Sequence, residues 1–221
     1  MSPESSKVLF DLDGTLLDTA PDMAWALNQV REQHGLEGIE YKVIRRHVSH
    51  GSFALTRLGC TADEASDEFE QFRLRLLKIY SENIVRETQL FDGMDLVIEY
   101  LEAQSIPWGI VTNKPSWLTI PLIQQLDLET RAAVVISGDT TTKNKPHPAQ
   151  LILAAERLSA SPEECIYVGD AERDIMAGNS AGMRTLVALY GYLGIDDSPE
   201  DWGADAMVET PAELGAWLGS F

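Results

Sequence analysis

Short apolar runs alternate along the chain with stretches in which apolar residues recur every three or four positions. The runs are Val8–Phe10, Trp108–Thr112, Ala133–Ser137, Ile166–Gly169 and Thr185–Leu189, each closed by Gly, Asp, Asn or Ser, and they predict buried strands. Between them Met94, Val97, Ile98 and Leu101 follow helical spacing, and Leu151, Ala154, Ala155 and Leu158 repeat it. Continuous apolar strands joined by amphipathic helices are what a parallel sheet covered on both faces requires, so the pattern predicts an α/β fold. Near the end, Thr210, Pro211, Ala212 and Glu213 form a capping-box pattern with proline at the first helical position, which predicts a short terminal helix covering the sheet.

Residues 20 to 88 break the alternation, with helical periodicity and no buried strand, and predict an inserted helical subdomain. Thr19, Pro21 and Asp22 mark a helix start, and Met23, Leu27, Val30 and His34 its apolar face. A second long helix carries Phe69, Phe72, Leu76, Ile79 and Tyr80 on one side as core, with Arg73, Arg75 and Lys78 on a solvated face.

Charge then removes whole classes of partner. The 221 residues hold 17 Lys and Arg against 35 Asp and Glu, a formal net charge of −18. Such a surface repels nucleic acid and anionic membranes, whose binding draws on Lys and Arg, so a small molecule or a metal cation is expected instead. Cys60 and Cys165 are too few for a disulfide scaffold and have no metal-binding spacing. Met1 to Lys7 lacks a basic segment followed by an apolar one, and no apolar run approaches the ~18 residues of a membrane span, so a cytoplasmic protein is expected. Monomer and dimer both remain open.

The candidate chemistry collects at the C-terminal ends of the predicted strands, where open α/β sheets bind ligands. Asp11 and Asp13 close the first strand, two apart and therefore on one side of extended chain, with Gly14 allowing close backbone approach. Thr112 and Asn113 close the second, although alone they also suit a helix cap. Lys145 lies in a turn before a helix, favoured over Lys143 by the following Pro146, and Asp170 and Asp174 follow Ile166–Gly169. Three carboxylates, Asp11, Asp13 and Asp170, call for a hard divalent cation such as Mg²⁺, with Lys145 as a further positive charge. A phosphate ester fits that pocket, with Thr112 and Asn113 donating to it. No serine elbow or cysteine beside a histidine offers a nucleophile, so Asp11 is expected to attack phosphorus and Asp13 to act as acid and then base.

Together these residues resemble the haloacid-dehalogenase-like phosphatases. Asp11, Leu12, Asp13, Gly14 and Thr15 look like the D-x-D-G-T signature, and Thr112 like the second-motif threonine. Lys145, Pro146, His147 and Pro148 look like K-P-x-P, and Gly169, Asp170 and Asp174 like G-D-x-x-x-D, in the family's order. The resemblance implies a Rossmann-like, doubly wound catalytic core over 1–18 and 89–221 with an inserted α-helical cap over 19–88. It implies Mg²⁺ held by the Asp11 carboxylate, the Asp13 main-chain carbonyl and the Asp170 carboxylate, with Asp174 acting through water. Asp174 alone also suits a helix N-terminus.

Within that family, Asp13 as a proton donor argues for phosphorus chemistry over dehalogenation, since halide leaves without a proton. Pumps need a membrane domain. Phosphonate hydrolysis needs a cap lysine, and Lys42 and Lys78 have no clear place near the site. A phosphosugar mutase shares the core and stays open, while a non-catalytic binding module is disfavoured because the nucleophile is present. Leaving-group contacts are expected from the polar turn Arg46 to Ser52, above all His50, Gly51 and Ser52, although His47 and His50 also suit a helix end. The pattern resembles two groups, the phosphoglycolate phosphatases and the N-acetylmuramic acid 6-phosphate phosphatases of cell-wall recycling. Trp108 to Pro115, Arg184 with Thr185, and Asp201 to Asp205 lean towards the second.

Overall fold

The computed structural model describes residues 7–219; the outermost parts of the expected core, 1–6 and 220–221, lie outside them. In chain order the elements are β1 (Lys7–Phe10), β2 (Leu17–Asp18), α1 (Ala20–Gln33), α2 (Tyr41–Arg45), α3 (Gly51–Gly59), α4 (Asp67–Glu82), β3 (Gln89–Leu90), α5 (Met94–Ala103), β4 (Trp108–Val111), α6 (Ser116–Gln125), β5 (Val134–Ile136), α7 (Ala149–Arg157), β6 (Cys165–Gly169), α8 (Glu172–Ala181), β7 (Arg184–Ala188), β8 (Ala206–Val208) and α9 (Pro211–Leu218).

Six parallel strands form the main sheet in the order β5-β4-β1-β6-β7-β8. The chain moves outward from β1 through β4 to β5, then returns to the other side of β1 as β6. This reversal makes the carboxyl end of β1 a topological switch point, the place where such sheets leave a crevice for ligands. Alternation within each strand feeds two cores. Val8, Phe10, Ile110 and Val168 pack on the face covered by α5, α6 and α9. Leu9, Val111 and Tyr167 pack on the other face with Leu151, Ala154 and Ala177 of α7 and α8.

Helices α1 to α4 lie between β2 and β3, a two-residue antiparallel pair separate from the main sheet. Their apolar faces join the first core through Leu27, Phe72, Leu76 and Ile79. Asp22, buried in the first turn of α1, ties the return segment to the outgoing one. It accepts from the main-chain N–H groups of Arg86, Glu87 and Thr88 at 2.9–3.0 Å and from the Thr88 hydroxyl at 2.7 Å.

Details at the helix ends refine the sequence expectations. Thr19 stands at the N-cap of α1, but its hydroxyl does not cap the helix and donates to Asp13 Oδ1 at 2.7 Å. His34, the C-cap of α1, is exposed overall but ends the apolar face with its ring on Phe72 at a centroid distance of 5.0 Å, while Ala24, Ala26, Leu27 and Val30 supply the fully buried surface. The capping box at Thr210 is half formed, because Glu213 takes the Glu209 N–H at 2.7 Å while only the Thr210 hydroxyl bonds within the box. The helix it starts, α9, covers the sheet as expected, with Leu214 and Leu218 in the core that holds Val8, Phe10 and Val208.

Candidate active site

Asp11 and Asp13 leave the end of β1, and the fold brings Lys145 and Asp174 up behind Asp11. Lys145 Nζ lies 2.9 Å from Asp11 Oδ1 and 2.8 Å from Asp174 Oδ1. It also donates to the Val111 carbonyl at 3.1 Å and the Tyr167 phenol at 2.7 Å, with all these groups out of water. The backbone that delivers the ammonium is itself stitched down. Asn113 Nδ2 donates to the Lys145 carbonyl at 3.0 Å, while Asn113 Oδ1 and Gln150 Oε1 both accept from the Lys145 N–H at 3.1 Å. Lys143, the competing lysine, is exposed. Asp11 Oδ2 makes no hydrogen bond with a described residue, so one oxygen is anchored and the other is available.

Asp11, Asp170 and Asp174 each place a carboxylate oxygen within 4.8 Å of the others, and all three are buried. Asp170 Oδ2 accepts from Ser49 Oγ at 2.6 Å and from the Tyr192 N–H at 2.9 Å, but its buried Oδ1 has no donor among the described residues. Burial first, and then the charges of Asp174 and Asp11, push the Asp170 carboxyl up to about 7. Asp174 goes the other way, because Lys145 and Arg173 outweigh its burial. An orphaned buried oxygen in a repelling all-oxygen cluster suits a hard divalent cation. Gly14, at φ +89°, permits this closeness, since a Cβ there would fall 2.1 Å from Asp170 Oδ2. The Asp13 carboxylate is outside the cluster. Asp174, with Oδ1 on Lys145 and Oδ2 accepting the Ala171 N–H at 3.1 Å, also closes the first turn of α8.

Asp13 is held by a cation that the sequence reading passed over. Lys114 Nζ lies 2.8 Å from Asp13 Oδ1 and donates to the Tyr80 hydroxyl at 2.9 Å. With Thr19 on the same oxygen, Asp13 Oδ2 is left without a partner among the described residues. Burial works against the Lys114 charge, but Asp13 and Tyr80 outweigh it and hold the ammonium well above the ordinary lysine range. Tyr80 therefore has two roles: its ring belongs to the α4 stripe, and its hydroxyl reaches Lys114 beside Asp13.

Above these groups is a cavity of about 370 Å³, walled by core and insertion together. Asp11, Asp13, Thr112, Asn113 and Lys114 line it from the core, and Ser49, His50, Gly51 and Ser52 line it from the insertion. Met23, Val48, Phe53, Leu77 and Leu118 make much of the wall apolar, and Arg173 of α8 completes it. Gly51, at φ +80°, turns the chain into α3 and presents this segment to the cavity. Lys145 and Asp174 reach it through Asp11, and Asp170 lines a smaller adjoining cavity with Ser49, His50 and Arg173. The Asn113 amide is committed to Lys145, and Thr112 Oγ1 accepts the Lys114 N–H at 3.1 Å. Lys114, Tyr80, Ser49, Thr19, Gln150 and Arg173 were not singled out as site residues. For Lys114 the signal was its place directly after Thr112 and Asn113 at a strand end.

The model of the haloacid dehalogenase-like hydrolases matches residues 8–188, from β1 to β7 and so across every element that builds this site. The chain belongs to that family. It is 43% identical over 213 residues to the phosphoglycolate phosphatase of Xanthomonas campestris, covering 95% of this chain and 96% of that one. It is 40% identical over 207 residues to the N-acetylmuramic acid 6-phosphate phosphatase of Pseudomonas putida, covering 94% and 93%. The crystal structure of a predicted phosphoglycolate phosphatase from Haemophilus somnus superposes with a TM-score of 0.85 at 25% identity, over 96% of each chain. Other haloacid dehalogenase-like chains share the same fold at lower identity, including a Streptococcus pneumoniae hydrolase at TM-score 0.82. No helix of the described residues is long and apolar enough to cross a membrane.

Proposed function

We propose that this phosphate monoester hydrolase works through an aspartyl-phosphate on Asp11 and acts on N-acetylmuramic acid 6-phosphate. The observation that carries the mechanism is the pair of carboxylates at one cavity floor, each with one oxygen anchored by a lysine and the other unpartnered. Asp11 Oδ2 attacks phosphorus as the ester P–O bond breaks, and Asp13 gives its proton to the departing alkoxide. Asp13 then takes a proton from water, whose oxygen attacks the same phosphorus; inorganic phosphate leaves and the Asp11 carboxylate is restored. Lys145 holds Asp11 in place, and Thr112 and Asn113 flank the phosphoryl position. The Asp11 and Asp170 carboxylates and the Asp13 main-chain carbonyl, with Asp174 acting through water, would hold Mg²⁺, which would supply charge neutralisation to the phosphoryl oxygens. Residues 19–88 act as the cap, supplying Ser49, His50 and Tyr80 and excluding water from the reaction. The two free thiols, Cys60 and Cys165, fit a reducing cytoplasm.

Cavity size supports the sugar substrate. About 370 Å³ with a partly apolar wall is in the range that drug-sized ligands fill, and a two-carbon phosphoglycolate leaves most of it empty. Phosphoglycolate is the alternative, favoured by the 43% identical relative of that name. Phosphate release measured on both esters with Mg²⁺ decides between them. We expect kcat/KM at least about tenfold higher for the muramic acid ester, the discrimination that one or two well-filled contacts provide. The reverse order would overturn the substrate assignment and leave the phosphatase chemistry intact.

A further inference from the structure

Among the described residues, the lysines and arginines close to the reaction centre are paired, except one. Lys145 serves Asp11 and Asp174, Lys114 serves Asp13, Arg45 donates to the carbonyls of Tyr190 and Gly191, and Arg73 is paired with Glu70. Arg173, in the first turn of α8, lines the same cavity yet forms no hydrogen bond or ion pair with any described residue. A guanidinium is charged at any working pH, and the acidic groups whose charge it feels are Asp174, Asp11 and Asp170. Those carboxylates are already engaged by Lys145 or suited to a metal. A guanidinium with five donors, half out of water and without a partner, is costly unless a ligand satisfies it.

His50 lines the cavity with it. Burial, and then the Arg173 charge, hold the His50 imidazole below its ordinary range, so near neutral pH it offers a hydrogen bond without adding charge. The local requirement is therefore for one anionic group besides the phosphoryl group that Asp11 receives. A planar carboxylate matches the guanidinium fork in two parallel bonds.

We propose that Arg173, assisted by His50, binds a carboxylate on the leaving group and so selects phosphate esters of hydroxy acids. This rests on the phosphatase reading above and holds for either substrate weighed there, since glycolate and muramic acid both carry a carboxylate. It also shows how a chain of net charge −18 can admit a substrate with two anionic groups.

Matched esters that differ in the carboxylate test it: N-acetylmuramic acid 6-phosphate against N-acetylglucosamine 6-phosphate, and 2-phosphoglycolate against 2-hydroxyethyl phosphate. For wild type the acid member of the preferred pair should have the higher kcat/KM. In Arg173→Gln the ratio of acid to neutral member should fall roughly 10- to 100-fold, the worth of a hydrogen bond to a charged group, mainly through KM. Arg173→Lys should restore part of it. Because the ratio is taken within one preparation, a partly folded variant still gives it. A ratio unchanged in Arg173→Gln, or no acid preference in wild type, overturns the proposal while leaving the phosphatase intact. No phosphate release from any of the four esters by wild type contradicts the phosphatase reading and the proposal with it.

Discussion

Asp11→Asn is expected to lower kcat by about 10⁴-fold or more, the scale of loss when a covalent catalyst is deprived of its nucleophile. An amide of the same shape keeps the packing at the end of β1 and a hydrogen bond to Lys145, but it has no carboxylate to form a bond to phosphorus. The fold should survive without loss of Tm. Burial pushes the Asp11 carboxyl up against the pull of Lys145, so its charge is held in the site at a cost, and neutralising it relieves one of three crowded carboxylates. Steady-state phosphate release and a thermal melt on the same preparation check both halves. A kcat within tenfold of wild type would contradict attack by Asp11.

Lys145→Met should be the most damaging substitution for stability. Its ammonium is enclosed by Asp11, Asp174, the Val111 carbonyl and the Tyr167 phenol, and methionine leaves those carboxylates buried beside Asp170 without a counter-charge. Breaking a buried ion pair from one side costs about 3–5 kcal/mol. In a domain of this size each kcal/mol lowers Tm by about 2–4 °C. The loss should grow with pH. Against their burial, Lys145 pulls both the Asp11 and the Asp174 carboxyls down, so without it both titrate higher in the folded chain. The variant is then relieved at low pH, where these carboxyls are protonated, and loses that relief as pH rises through their raised values, while wild type keeps its counter-charge. The melt should therefore show a larger deficit at pH 8 than at pH 5, and a Tm equal to wild type at both would refute Lys145 as the electrostatic centre of the site.

The strands beside β1 were legible because both faces of each are buried, which leaves an unbroken apolar run; β4 and β6 differ from the expected ranges by one residue. β8 carries exposed Met207 at the sheet edge, and β2 and β3 are two residues each, so none of the three produces such a run. The carboxylates and Lys145 stood out for a related reason: their spacing follows from strand ends, which are local. Partnerships across the fold leave no local trace. Lys114 meets Asp13 across 101 positions, and Tyr80 keeps a helix stripe while its hydroxyl reaches another element. Thr19 shows the converse, where a residue at a helix start gives its hydroxyl to the Asp13 carboxylate six positions earlier rather than to the helix. Arg173 lay inside the recognised G-D-x-x-x-D segment as a spacer, and only the cavity wall reveals it.

Covalent trapping tests the central claim most directly. Substrate labelled in its phosphoryl group, mixed with Mg²⁺ and excess wild-type enzyme and quenched in acid within one turnover, should leave label on the protein that hydroxylamine discharges. Reduction with borohydride should convert the labelled aspartate to homoserine at Asp11 alone, and Asp11→Asn should trap nothing. Release of phosphate in a full turnover with no protein-bound label, or with label on a residue other than Asp11, would contradict the account.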